Sequence, residues 1–214
     1  MKIVLQNEDV EITAERTLWF ERKQTLFLSD VHLGKATHFR KAGMYISGKT
    51  GFKDLDRIAF QLRHFQPNRI VFLGDLFHSE YNQEWEAFID LRNHFKEVEF
   101  ILIEGNHDIM DLKFYERAGV KVIEEGYIED GWEWRHHPSE NPVGFQICGH
   151  IHPGVRIRGK ARQSLTLPCF VHEPNRFIFP AFGRLTGKVR YEGANGSRYY
   201  AIAGSEILEV VNQE

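Results

Sequence analysis

The sequence predicts a mixed α/β protein, a four-layer α/β/β/α sandwich in which two β-sheets pack face to face and helices flank them. The first half of the chain alternates short apolar runs with segments of helical periodicity, a pattern typical of a parallel sheet with crossover helices. The second half consists of short strand-like runs broken by Gly, Pro and Asn. With 214 residues the chain is long enough for one hydrophobic core, so we expect a single domain over residues 1–214.

Three nearly continuous apolar runs in the first half predict strands that are buried on both faces. They are "TLFLSD" at residues 25–30, "RIVFLGD" at 69–75 and "VEFILIEGN" at 98–106. Apolar residues at helical spacing between the first two runs predict a helix that ends before Pro67. The segment "NQEWEAFIDLRNHF" predicts a second helix between the second and third runs. The first half therefore has the order strand, helix, strand, helix, strand.

The second half contains five strand-like segments with little helical periodicity. They are "GYIEDGWEWRHHP", "VGFQICGHIHPG", "SLTLPCFV", "RFIFPAF" and "RYYAIAGSEILEV". Short strands separated by turn residues favour antiparallel pairing, so we expect an antiparallel second half.

The net charge of −3 argues against a dedicated nucleic-acid binder, which would commonly be strongly basic. The distribution of charge is more informative, because residues 156–190 carry eight Lys and Arg residues against Glu173 alone. A second basic group comprises Lys35, Arg40, Lys41, Lys49 and Lys53. Such runs are commonly solvated surface, but a basic face on a near-neutral protein would also suit a polyanionic substrate.

The chain has the features of a cytoplasmic protein without a membrane partner. No apolar run approaches the roughly 20 residues that span a bilayer. The first 16 residues, "MKIVLQNEDVEITAER", place acidic residues where a signal peptide is apolar, so we expect no secretion signal. Cys148 and Cys169 are the only cysteines, and although they could pair, they do not amount to a disulfide framework, which favours a reducing compartment.

Each of the three predicted parallel strands ends in polar residues that can ligate a metal or transfer a proton. They are Asp30 and His32, then Asp75, then Asn106 and His107. The carboxyl ends of parallel strands open into one crevice, which is where open α/β sheets bind ligands. Two strand-like segments of the second half add His136 or His137 and the pair His150 and His152 in "GHIH".

These side chains form a mixed set of oxygen and nitrogen donors. Such a set suits Mn, Fe or Zn rather than Ca, and it has too few thiolates for a structural zinc site. A turn or a core histidine would explain any one of the motifs, but their occurrence together in one chain favours a metal site.

The motifs resemble the calcineurin-like metallophosphoesterase superfamily, whose ordered pattern is D-x-H, G-D, G-N-H-[DE], a lone His and G-H-x-H. The chain shows "DVH", "GD", "GNHD", "HHP" and "GHIH" in this order between residues 30 and 152. The resemblance implies a sandwich of two mixed sheets flanked by helices. A closer similarity, carried by "LSDVHLGKATHFRKAG", "LGDLFHS" and "FIFPAFGRLTG", is to the bacterial ligase-associated DNA damage response endonuclease group. It implies DNA as substrate and a link to a DNA ligase, a helicase and an exonuclease in DNA repair.

The resemblance also implies a role for each residue. One metal is held by Asp30, His32 and His152, and the second by Asn106, His136 and His150. Asp75 bridges the two metals, a bridging hydroxide attacks phosphorus in line, and His107 is the general acid or stabilises the pentavalent phosphorus. His136 and His137 point to opposite sides of an extended strand, so only one of them can be a ligand. His136 is the preferred choice and His137 the alternative.

Five further residues are predicted around this centre. His78 is expected to orient a ligand, meet the substrate or face solvent, and Asp108 to serve as a supporting or turn residue rather than a ligand. Lys35, Arg40 and Lys41 follow the first metal-binding motif and are expected to lie in a loop that touches the substrate.

The sequence thus predicts a phosphoesterase with two divalent metal ions, Mn²⁺ being expected and Fe or Zn the alternatives. The predicted activity is that of a DNA endonuclease or phosphodiesterase. The alternatives are a phosphodiesterase or phosphatase for a small nucleotide or nucleotide-sugar, and a non-catalytic scaffold, although a scaffold would be expected to have lost some of the motifs.

Overall fold

The computed structural model describes residues 1–41, 43–45, 50–78, 83–159 and 163–211. These residues form sixteen β-strands and four α-helices. The strands are β1 (Lys2–Leu5), β2 (Glu8–Ile12), β3 (Leu18–Phe20), β4 (Thr25–Leu28), β5 (Arg69–Leu73), β6 (Glu99–Ile103), β7 (Val120–Ile123), β8 (Tyr127–Glu129), β9 (Trp132–Trp134), β10 (Phe145–Cys148), β11 (Pro153–Arg158), β12 (Ser164–Glu173), β13 (Arg176–Ile178), β14 (Val189–Arg190), β15 (Arg198–Ala203) and β16 (Glu206–Val211). The helices are α1 (Lys35–Lys41), α2 (Thr50–Phe65), α3 (Gln83–His94) and α4 (Leu112–Arg117).

The first sheet contains seven strands in the order β1-β2-β3-β4-β5-β6-β7. The strands β4 to β7 run parallel, while β1, β2 and β3 extend the sheet with antiparallel pairs. The three predicted parallel strands are confirmed as β4, β5 and β6, and the two predicted crossover helices as α2 and α3. Polar residues that follow these strands therefore meet at one edge of the sheet.

Both faces of the parallel strands are buried, as their continuous apolar sequences predict. On β5, Ile70 and Phe72 pack in one cluster with residues of α2, α3 and α4, whereas Val71 and Leu73 pack in another with the second sheet. This alternation follows from the two-residue repeat of a strand. One core therefore lies between the two sheets, and another lies beneath the helices. None of the described helices is long and apolar enough to cross a membrane.

The second sheet has nine strands and is mixed, which corrects the expectation of an antiparallel second half. β10 pairs in parallel with both β9 and β13, and β11 pairs in parallel with β14. Alternating side chains indicate which face of a strand is buried, but they do not indicate its direction, and this is why the sequence pattern failed here. The parallel pair β9 and β10 places the carboxyl ends of both strands at one edge.

The mixed α/β class with two packed mixed sheets is confirmed. In the described chain all helices occur before residue 118, and the outer face of the second sheet is covered by loops over a small apolar cluster rather than by a helix. This cluster includes Cys148, Cys169, Val171 and Tyr199. The short connections of the second half leave no room for crossover helices of the kind found in the first half. Both cysteine thiols in the cluster are free and buried.

Candidate metal centre

The loops that follow β4 and β5 continue the parallel pairing of their strands beyond the sheet. The amide of Asp30 donates to the carbonyl of Gly74 at 3.1 Å, and the amide of His32 donates to the carbonyl of Asp75 at 2.9 Å. The amide of Leu33 then donates to Leu76. These bonds fix the two loops side by side, so the carboxylate and imidazole side chains of both motifs point into one crevice.

Five of the predicted ligands have a left-handed backbone. Their φ angles are 54° for Asp30, 52° for His32, 53° for Asp75, 65° for His150 and 50° for His152. Positive φ is uncommon for residues other than glycine, costs on the order of 1–3 kcal/mol per residue, and clusters at functional sites. This concentration of strained residues is an indication of function that does not depend on any motif.

The glycine of each of three motifs is required because a side chain of the crevice occupies the space that a Cβ would need. A Cβ on Gly74 would overlap the ring of His136, and one on Gly105 would overlap the carboxylate of Asp75. A Cβ on Gly149 would collide with Ser29 and Asp30. The absence of a side chain on Gly105 therefore lets its backbone lie close to Asp75.

Asp30, His32 and His152 form one group, which we call group A. Their potential ligand atoms all lie within 4.8 Å of one another. Nε2 of His152 is 3.0 Å from Oδ1 of Asp30, yet neither atom has a hydrogen-bond partner, and both ring nitrogens of His32 also lack one in the described structure. Buried polar atoms normally find a partner, so these unpartnered donor and acceptor atoms are the expected sign of a cation site.

The charge states in group A suit metal binding. Burial lowers the pKa of His32 to about 2, with a further contribution from the nearby charge of Lys35, so the imidazole is neutral at physiological pH. Burial acts to raise the pKa of Asp30, but the imidazoles of His152 and His136 and the hydroxyl of Ser29 outweigh it and lower the pKa below its ordinary value. Neutral imidazoles and an ionised carboxylate are the forms that ligate metals.

Asn106, His136 and His150 form a second group, which we call group B. Nδ1 of His136 donates to the carbonyl of Leu73 at 2.8 Å, which leaves the lone pair of Nε2 free. This Nε2 lies 3.2 Å from Oδ1 of Asn106 and 3.3 Å from Nδ1 of His150. The amide of His150 also donates to Oδ2 of Asp30 at 3.0 Å, which links group B to group A.

The two adjacent histidines differ in environment. His136 is buried and anchored to Leu73, whereas His137 is exposed and its ring lies 3.9 Å from the ring of His150. Both are close enough to His150 to share a cation with it. The anchored and buried ring supports His136 as the ligand, and the assignment stays a prediction.

Asp75 lies between the two groups and is almost completely buried. Its Oδ1 is 3.5 Å from Nε2 of His136 in group B, and its Oδ2 is 3.6 Å from Nε2 of His32 in group A. The amide of His107 donates to Oδ1 at 2.9 Å, which holds the carboxylate in this orientation. Oδ2 of Asp75 therefore faces group A, and Oδ1 faces group B.

Asp108 supports the site without facing either group. Its carboxylate accepts hydrogen bonds from the amides of Asp75 at 2.8 Å, Gly105 at 3.0 Å and Phe77 at 3.1 Å. Burial raises the pKa of Asp108 to about 7, against the effect of these donors. The position agrees with the supporting role that the sequence predicts, since Asp108 connects the loops after β5 and β6.

Three further imidazoles lie near the buried ring of His32. The ring centroid of His107 is 5.2 Å from that of His32 and 4.9 Å from that of His78, and the ring of His38 is 5.2 Å from that of His78. Burial, followed by the charge of Lys35, lowers the pKa of His78 to about 4. His38 was not predicted as a site residue, because it lies outside the metal-ligand motifs and comes near the crevice through the direction of α1.

The segment with Lys35, Arg40 and Lys41 is the helix α1, which corrects the expected loop. Gly34, at a φ of 91°, makes the turn that precedes the helix, and its amide donates to the carboxylate of Glu84 at 2.5 Å. No Gly or Pro interrupts the seven residues that follow.

The cations Lys35 and Arg40 of α1 differ in exposure and in contacts. Lys35 is half-buried, and burial lowers its pKa against the opposing effect of Asp75 and Asp30. Arg40 is exposed and donates to Thr37 on the same helix at 2.7 Å. The side chain of Lys41 lies outside the described part of the structure, as do the predicted cations Lys49, Lys160 and Arg162.

The donor atoms fit a divalent transition metal. In the described chain no Lys or Arg forms an ion pair with Asp30 or Asp75, whose close neighbours are imidazoles. Two buried carboxylates with no such ion pair favour the binding of a cation that balances their charge. The combination of carboxylate, amide and imidazole donors is one that Mn, Fe and Zn accept.

Residues 23–142 of the chain match the family model for calcineurin-like phosphoesterases. The chain belongs to this family and is a hydrolase of phosphate esters, in a family that depends on divalent metals. Among solved structures it is similar to the nuclease MPE of Pseudomonas putida, with a TM-score of 0.84 and 24% identity over 98% of this chain and 99% of that one. The phosphoesterase Yfce of E. coli is more distant, with a TM-score of 0.46 and 16% identity over 87% of this chain and 97% of that one. No curated protein matches the chain.

Proposed function

We propose that the chain is a binuclear metal-dependent phosphodiesterase that acts as a DNA endonuclease. The observation that carries the binuclear part is the position of Asp75, whose two carboxylate oxygens face His136 at 3.5 Å and His32 at 3.6 Å. A carboxylate has lone pairs for two cations, so Asp75 is suited to bridge a metal in group A and a metal in group B.

The ligand sets of the proposal are the two groups. Asp30, His32 and His152 hold one ion, while Asn106, His136 and His150 hold the other. We infer Mn²⁺ as the physiological ion, with Fe and Zn as the alternatives, because four imidazoles favour borderline ions over Mg²⁺. When bound, a pair of divalent ions supplies Lewis acidity toward the phosphate and an activated water for in-line attack on phosphorus.

The remaining steps belong to side chains around the crevice. His107 is the proposed general acid, because its amide is bound to Asp75 and its ring stands beside His32, near the position of a bound phosphate. His78 contacts the ring of His107 and is proposed to orient it. Lys35 places a positive charge close to the two carboxylates, where it balances the charge that develops on phosphoryl oxygens.

The choice of DNA rests on the resemblance to the ligase-associated endonuclease group and on the clustered cations of the chain. That resemblance also supports a role in DNA repair in the cytoplasm together with a DNA ligase, a helicase and an exonuclease. The Pseudomonas putida protein is a nuclease, but at 24% identity the likeness concerns the fold.

The proposal is tested by stripping the enzyme with a chelator and reloading it with Mn²⁺, Fe²⁺, Zn²⁺ or Mg²⁺. Each form is assayed on a chromogenic phosphodiester, a chromogenic phosphomonoester and plasmid DNA. We expect Mn²⁺ to restore cleavage of the diester and of DNA, and Mg²⁺ to restore little. Full activity in the presence of chelator would overturn the metal mechanism, and activity on the monoester alone would replace the nuclease with a phosphatase.

Metal content gives a second test that does not depend on a substrate. Asp75→Ala should lose affinity for both ions, because each group loses one oxygen. In a protein with two independent sites the same change would empty only one of them.

A further inference from the structure

The strands β11 and β12 form an antiparallel ribbon that begins next to the proposed ligand His152. In this ribbon Arg156 lies opposite Thr166, and Arg158 lies opposite Ser164. β14 flanks the start of β11, and the amide of Val189 donates to the carbonyl of His152 at 3.0 Å. The ribbon is thus tied directly to the metal centre and leads away from it.

The two faces of the ribbon have different chemistry. Val155, Ile157 and Leu167 face the apolar cluster on the outer side of the second sheet. Arg156 and Arg158 alternate with Val155 and Ile157, so they lie on the opposite face.

The same alternation along β12 shows where this opposite face is directed. Ser164 and Thr166 share it with Phe170, which packs in the core between the two sheets. The polar face of the ribbon is therefore on the side of the first sheet, the side on which Asp75 and Asn106 follow their strands.

Lys188 adds a third cation to this polar face. Its Cδ is 3.4 Å from the position that a Cβ on Gly154 would take, so the lysine stem lies across this glycine. Gly154 is also opposite Arg190 of β14 in the pairing, which places the loop of Lys188 along the edge of the ribbon.

The charge of this face is uncompensated. The sequence contains no Asp or Glu between residues 153 and 168. Arg156, Arg158 and Lys188 are exposed, and they make no ion pair with any residue that the structure describes, whereas Arg176 pairs with Glu173. Ser164 accepts a hydrogen bond from Arg156 at 2.8 Å, which holds this guanidinium on the polar face.

We propose that Arg156, Arg158 and Lys188 form a basic track that binds the phosphates of a nucleic acid beyond the scissile one. This inference rests on the proposed nuclease function and adds the surface that holds the polymer. Five residue steps along β11 span about 17 Å at about 3.3 Å per residue. A strand with one phosphate per roughly 3.4 Å, as in duplex DNA, presents about five phosphates over that length, enough for three cationic contacts.

The test compares two triple variants of equal charge change. The track variant is Arg156→Gln, Arg158→Gln and Lys188→Gln, and the control is Lys2→Gln, Lys96→Gln and Lys121→Gln, whose lysines are exposed on or beside the first sheet. Binding of a fluorescent 20-nucleotide DNA is followed by anisotropy over a range of salt concentrations, with chelator present so that no cleavage occurs. For the track variant we expect the slope of log affinity against log salt to flatten by about 2 to 3 units relative to the control.

Cleavage assays with Mn²⁺ separate this inference from the proposed function. We expect the track variant to lose activity on the 20-nucleotide DNA at moderate salt and to match wild type on a chromogenic diester, which is too small to reach the track.

If wild type hydrolyses the chromogenic diester but no DNA, the nuclease function fails, while the anisotropy slopes still decide whether the track binds DNA. A track variant with the same slope as the control overturns the track and leaves the nuclease function intact. Should the triple variant unfold, Arg158→Gln alone must flatten the slope by about 0.7 to 0.9 units.

Discussion

Asp108 accepts a hydrogen bond from the backbone amide of Asp75 at 2.8 Å, so the residue that we place between two metals is oriented by a carboxylate that touches neither. The same oxygen of Asp108 accepts from Gly105, and its other oxygen accepts from Phe77. Three loop amides around the site thus depend on one buried side chain.

The first prediction is that Asp108→Asn weakens both metal binding and folding. Both oxygens of Asp108 accept from backbone amides, so in either orientation of the asparagine amide the NH₂ group replaces an acceptor. At least one backbone N–H then has no acceptor, which costs about 1–3 kcal/mol. Metal content after dialysis against limiting Mn²⁺ and urea unfolding of the metal-free protein measure the two effects. Asp111→Asn is the matched control, because Asp111 is exposed and caps α4 through the amide of Lys113. Equal metal content and equal stability in both variants would refute the supporting role.

The second prediction concerns the adjacent histidines. His136→Ala should lose one of the two ions, because its Nε2 lies near Asn106, His150 and Asp75. His137→Ala should keep both ions, since its exposed ring packs only against the rings of its neighbours in the described structure. Metal analysis of the purified variants checks this, and the opposite pattern would transfer the ligand role to His137.

The third prediction is that His107→Ala keeps both metals and loses turnover. The contact with Asp75 uses the backbone amide of His107, which the alanine variant retains. Loss of a general acid lowers the rate by about 10²- to 10⁴-fold. The measurements are metal content and kcat on a chromogenic diester. A variant that lacks one ion would instead make His107 a structural part of the centre.

The fourth prediction is a pH dependence of folding that arises far from the metal centre. Burial, followed by the charge of Arg198, lowers the pKa of His172 in the folded protein, while Glu209 acts in the opposite direction. The unfolded chain therefore binds a proton at a higher pH than the folded one, and stability falls as pH drops below about 6.5. In His172→Gln this contribution is absent, so the loss of stability between pH 7.5 and pH 5 should be smaller than in wild type. Urea unfolding with chelator present measures both proteins, and equal losses would contradict the prediction.

The sequence predicted the parallel strands, the crossover helices and the crevice at the strand ends because these features leave local patterns. Continuous apolar runs such as the one before Asp75 require burial on both faces, and helical spacing predicts α2 and α3. The residues that converge in the crevice were also predictable, since Asp30, Asp75 and Asn106 each follow such a run.

Other features depend on contacts between distant parts of the chain and have no local pattern. The parallel pairing of β9 with β10, which brings His136 beside His150, is a matter of strand direction. The helix α1 and the position of His38 depend on the turn at Gly34 and on its bond to Glu84, which is 50 positions away in the sequence. The left-handed backbone of five proposed ligands is a feature of the folded loops, and the residue types do not reveal it.

Because of this left-handed backbone, the stability of the fold and the activity of the protein make opposite demands on the same residues. Glycine at the position of His152 would relieve the strain of a φ of 50° and would also delete a ligand. A search for variants with higher thermal stability in the absence of metal should therefore favour substitutions in the centre itself. Such variants would gain stability and lose enzymatic activity.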